Sequence, residues 1–100
     1  MAYDPGALNA SLAAAVGSDS ELMAELRDAF IESAGRQLDL MGRARCAANW
    51  TIAAARLKRL APSFGAFGLG RLSDEALEGA PGDPVVLRKI AAAIDDFARA

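Results

Sequence analysis

Residues Asn49 to Leu72 read NWTIAAARLKRLAPSFGAFGLGRL and hold most of the side chains with chemical potential. Arg56, Lys58 and Arg59 stand close together, and Arg45 precedes them in the same basic stretch. Guanidinium and ammonium groups at that density attract carboxylates or phosphates. The chain has no histidine, so it has no imidazole base, no histidine metal ligand and no Ser-His-Asp arrangement. Cys46 is the only cysteine, which excludes an internal disulfide and a cysteine-rich metal site. Its expected role is that of a small buried or half-buried apolar residue. The sequence contains no CxxC pair, Walker loop or calcium-binding loop. Gly65, Gly68 and Gly70 follow no strand, so they predict a turn rather than a phosphate cradle. Asp74-Glu75 and Asp95-Asp96 are adjacent, and helix neighbours at i and i+1 point apart, so neither pair suits general acid and base work. These exclusions predict a protein that is not an enzyme and needs no metal or cofactor.

Charge is unevenly spread. The net charge is -2. Residues 1–35 carry six acids and one base, residues 36–71 carry seven bases and one acid, and residues 72–100 carry six acids and three bases. A basic block inside an acidic chain suits an acidic partner. It equally suits a solvated face that balances the acidic ends within the fold.

The elements that must hold these side chains are helical. Ala, Leu, Arg and Glu are strong helix formers, and β-branched residues are sparse. Asp4-Pro5 opens a segment with Leu8, Leu12 and Val16 on one face. Ser18 and Glu21 have capping-box spacing, and Leu22, Leu26, Phe30, Ala34, Leu38 and Met41 follow at helical intervals. Gly35 and Gly42 interrupt this long segment and predict a bend or a close backbone approach. After a turn at Ala47-Ala48, Asn49 is the expected cap of the next helix. Trp50, Ala53, Ala54, Leu57, Leu60, Ala61 and Phe64 form its core stripe, leaving Thr51, Ala55, Lys58, Arg59 and Pro62 to face out. Pro62 predicts a kink or an end between Lys58 and Ser63. Leu69, Leu72, Ala76 and Leu77 mark a short helix. Asp83-Pro84 opens the last one, lined by Leu87, Ile90, Ile94 and Phe97. The expected class is all-α, an up-and-down antiparallel four-helix bundle with an additional N-terminal helix, occupying 1–100 as one domain. Helices are expected near 5–16, 19–46, 50–63, 67–78 and 84–98.

The ordered run Leu57-Lys58, then Ser63-Phe64-Gly65-Ala66, preceded by Trp50 and by a long helix, resembles the signature of histidine phosphotransfer (HPt) domains. The likeness extends from about Leu8 to Phe97 and is strongest across the third and fourth expected helices. It implies an HPt-like bundle acting in bacterial two-component phosphorelay signalling. Two departures fall at the functional centre. Ala55 stands where the family carries its phosphorylated histidine, and Arg59 stands where the family has glycine. The family's reaction needs a nucleophilic imidazole facing a receiver's phosphoaspartate, and Ala55 offers none. The resemblance therefore implies a pseudo-phosphotransfer module that binds a response-regulator receiver domain or a histidine kinase without carrying phosphate. Ala55, Arg56, Lys58, Arg59 and Arg45 are its expected contact residues. Gln37 and Met41 are expected across from Ala55 on the preceding helix. Lys58 matches a family residue that neutralises phosphoryl charge, and it reads equally as a surface lysine.

Two further readings stand beside this one. The first is a helical dimerisation or scaffold domain, a homo-oligomer with no phosphorelay partner. The second is a weak nucleic-acid binder using the basic central hairpin, although no aromatic-studded basic patch accompanies it. The N-terminus lacks a basic signal region, and Leu12 to Val16 is too short an apolar stretch to span a membrane, so a cytoplasmic location and no membrane partner are expected. The sequons at Asn9 and Asn49 then read as chance.

Overall fold

The computed structural model describes residues 19–99, and the helix expected over 5–16 lies outside them. Among the described residues the chain is all-helical. Helix α1 spans Ser20–Arg43, α2 Ala47–Leu60, α3 Phe67–Glu78 and α4 Pro84–Arg99, with a 3-10 turn at Ala61–Phe64 between α2 and α3. Helix α1 packs on α2 and on α4, and α3 packs on the same two partners. No helix among the described residues is long and apolar enough to cross a membrane.

Local chemistry sets the helix ends. Asp19, and not Ser18 as expected, caps α1 by accepting a hydrogen bond from the Leu22 amide at 3.0 Å, which satisfies one of the first-turn donors. Asp83 does the same for α4 through the Val85 amide at 2.9 Å. The turn between α1 and α2 falls earlier than expected. Ala44 and Cys46 adopt extended backbone, so α1 stops at Arg43, and Ala47-Ala48 are already helical. Asn49 is therefore inside the first turn of α2 and is not its cap. Two alanines, the best helix formers, win over one capping side chain. Cys46, in that turn, is exposed rather than buried.

Pro62 acts as expected. The regular helix ends at Leu60 and tightens into the 3-10 turn, because proline has no amide to donate and its ring collides with the preceding turn. Gly65 closes it in the left-handed conformation, φ +67°, and the Ala66 amide reaches back to the Ala61 carbonyl at 3.0 Å. That is a glycine C-cap, open to a residue with no Cβ. Gly68 and Gly70 are not part of the turn, since α3 begins at Phe67.

The core has an indole at one place and a ring cluster at another. Trp50 is 1% exposed, and Leu57, Ala54, Ala34 and Ile90 are fully enclosed. The Trp50 Nε1–H donates to the Ala76 carbonyl at 3.0 Å. That carbonyl belongs to the last turn of α3, whose acceptors have no partner within the helix. Phe30, Phe64 and Phe97 form the second cluster, with ring centroids 5.1–6.4 Å apart. The Arg27 guanidinium stacks on Phe97, 4.5 Å from the ring centre, and donates to its carbonyl. Ser73 is completely buried between apolar neighbours and resolves its hydroxyl by donating to the Leu69 carbonyl at 2.9 Å.

Leu22 was expected in the core and is 38% exposed. An i, i+4 series advances by about 40° per step around a helix. The series from Leu22 reaches the core direction only at Phe30 and Ala34, so its first member is left to one side.

Gly35 and Gly42 do not mark a close approach, because an added Cβ at either would meet nothing within 4 Å. Gly35→Ala is expected to raise stability by ~0.5–1 kcal/mol by restricting the unfolded chain, seen as a rise of a few degrees in Tm. The same change at Gly79 puts the Cβ 3.0 Å from the Glu75 carbonyl oxygen and should lower Tm. Thermal melts of the two variants check this pair.

Candidate functional site

Helix α2 presents the expected site. Its buried face of Trp50, Ala53, Ala54 and Leu57 leaves Arg56, Lys58 and Arg59 exposed and Ala55 half-buried. At about 100° per residue, Arg56 and Lys58 fall on opposite flanks of the outward face, with Ala55 and Arg59 between them. The contacts follow that division. Lys58 Nζ lies 2.7 Å from a carboxylate oxygen of Asp74 on α3. Arg56 and Arg59 turn the other way and line a shallow cleft of ≈ 300 Å³ with Ser33, Gln37 and Leu60.

Gln37 thus borders the cleft of Arg56 and Arg59. Its Oε1 is buried and has no hydrogen-bond partner among the described residues. Met41 is not a contact residue. It is 1% exposed, because position 41 shares the core direction of α1 with Phe30 and Ala34. A methionine there packs the interior and offers no surface to a partner.

Arg45 is exposed in the turn between α1 and α2. It borders a second, larger and open cleft of ≈ 670 Å³, together with Arg43, Asn49 and Arg56, over Leu40 and Ile52. Leu40 is 41% and Ile52 48% exposed. Neither Arg43 nor the apolar pair Leu40 and Ile52 was singled out from spacing. The signal of the pair was present: both are large apolar residues off the core stripes of their helices.

The electrostatics are one-sided. Lys58 is matched by Asp74, and this half-exposed pair is worth on the order of 1 kcal/mol or less. Arg43 pairs with Asp39 at 2.8 Å within α1. Arg45, Arg56 and Arg59 form no ion pair among the described residues. Three guanidinium groups are thus available to carboxylates or phosphates, for which their planar donor forks are well shaped. Ala55 brings neither nucleophile nor base to this face. No group of three or more His, Cys, Asp or Glu capable of holding a metal occurs among the described residues. Comparisons with family models, with curated proteins and with solved structures found no match to this chain.

Proposed function

We propose that this chain is a histidine-less, HPt-like binding module of two-component phosphorelay signalling, an up-and-down antiparallel four-helix bundle that holds a receiver or kinase domain without carrying phosphate. The observation that carries this reading is the junction from α2 to α3. Leu57-Lys58, the Pro62 turn and Ser63-Phe64-Gly65-Ala66 occur in the order of the HPt signature, and α2, which bears the first pair, presents Ala55 and Arg59 on its outward face, with Arg56 and Arg59 forming no ion pair among the described residues. A receiver's phosphorylation pocket is acidic in the family this chain resembles, which suits those arginines. Ala55 cannot accept the phosphoryl group, so the partner would be sequestered or held in one conformation, in the cytoplasm where such relays operate.

The test is titration of purified receiver domains against the chain and two variants. Arg59→Glu is expected to weaken binding by at least about tenfold, because a like charge then meets an acidic pocket. Asp95→Lys, on exposed α4 surface, should leave affinity unchanged. The reverse pattern, or no receiver binding at all, removes this reading.

A further inference from the structure

The outward face of α1 carries a pattern that the receiver reading does not use. Leu22 and Leu40 are both exposed and stand five helical turns apart at about 3.6 residues per turn, which puts them on one line about 27 Å long. Between them the line passes through Ala29 and Ser33, both small. Charge is segregated along the same flank of that line. Glu21, Glu25 and Asp28 lie toward the start, and Arg36 and Arg43, with Asp39 between them, toward the end. Glu21 and Glu25 form no ion pair among the described residues. Arg36 and Arg43 pair with Glu32 and Asp39 of their own helix, at 3.0 and 2.8 Å, with side chains 60% and 71% exposed, and Arg36 also donates to Ser33 Oγ at 3.0 Å. Such exposed pairs exchange partners readily.

A face that is apolar at both ends, small in the middle, acidic at one end and basic at the other is complementary to itself turned end for end. We infer that the chain forms a two-fold homodimer in which the α1 helices of two copies lie antiparallel along this line. Setting Leu22 against the partner's Leu40 fixes the register. Ala29 then meets the partner's Ser33, and the small side chains let the two backbones approach. Glu25 comes opposite the partner's Arg36 and Glu21 near the partner's Arg43, and the two-fold axis repeats both pairs. One self-complementary patch suffices for closed two-fold symmetry. Ser33 and Leu40 also border the clefts lined by Arg56, Arg59 and Arg45, so the dimer face adjoins the proposed receiver face, and the test is made on the chain alone so that its outcome does not depend on receiver binding.

The test uses the full chain alone, by sedimentation velocity over a concentration series with helicity checked by circular dichroism. The wild type is expected at about twice the 10.4 kDa chain mass. Glu21→Arg with Glu25→Arg makes both ends of the face basic, and Arg36→Glu with Arg43→Glu makes both acidic, so each variant should sediment at the single-chain mass. An equimolar mixture of the two should regain the doubled mass, because opposite charges then meet at both ends. That recovery also shows that neither variant is misfolded. A wild type that stays at the single-chain mass overturns the inference. So do charge-inverted variants that dimerise as the wild type does, or a mixture of helical variants that fails to associate.

Discussion

Trp50→Ala is expected to lower the free energy of unfolding by about 3–5 kcal/mol, measured by denaturant titration. The indole is the largest fully buried side chain, and truncating it removes its apolar contacts and leaves a cavity between α2 and its neighbours. A second cost is polar. The Ala76 carbonyl, in the last turn of α3, would lose the donor that now reaches it at 3.0 Å, and a buried acceptor left unpaired costs roughly 1–3 kcal/mol. Trp50→Phe separates the two terms: it keeps most of the volume and removes the donor, so its effect should fall in the lower range. Domains of this size are stable by only about 5–15 kcal/mol, so the alanine variant should lose a large share of that margin. Trp50 is the only tryptophan, so unfolding must be followed by circular dichroism. A loss below ~1 kcal/mol for Trp50→Ala would show that the indole is not the keystone its burial implies.

The second large effect concerns phosphotransfer and rests on the HPt-like reading. The wild-type chain should take up no acid-labile phosphoryl group from a phosphorylated receiver, since it has no histidine. Ala55→His supplies the missing nucleophile and should restore only slow transfer. Ala55→His combined with Arg59→Gly should be faster, by about tenfold to a hundredfold, because displacements of an ångström from near-attack geometry can cost that much. Position 59 lies one helical turn after position 55, and a long side chain there crowds the approach of a receiver. Lys58 adds a constraint: it is held by Asp74 at 2.7 Å, so assisting the transferred group requires it to leave that pair. Gly at 59 also weakens the helix by roughly 1 kcal/mol, in a turn already interrupted by Pro62. Melting temperatures should therefore precede the rate comparison with a single radiolabelled receiver. Equal rates for the single and double variants, both folded, would show that Arg59 does not obstruct the site.

The helical class, the approximate extents of the four helices within the described residues, and most inward residues of α2 and α4 were legible in the sequence, whereas the buried Val86 of α4 was not. The former were legible because a sustained apolar stripe at helical spacing admits one buried face, and because Asp83, Pro62 and Gly65 impose local geometry without help from distant residues. Trp50, Leu57, Ile90 and Ile94 are buried as their spacing required. Tertiary structure decided the rest. Whether Leu22 or Met41 faces inward depends on where α2 and α4 press against α1, and an i, i+4 series drifts across that direction rather than following it. Which way each cation of α2 leans depends on its neighbours: Asp74 on one side draws Lys58, and the cleft beside Gln37 receives Arg56 and Arg59. The Trp50 hydrogen bond to Ala76 joins residues 26 positions apart, and no local pattern announces it. Spacing along a helix sets angles about its own axis, and only packing sets what stands at those angles.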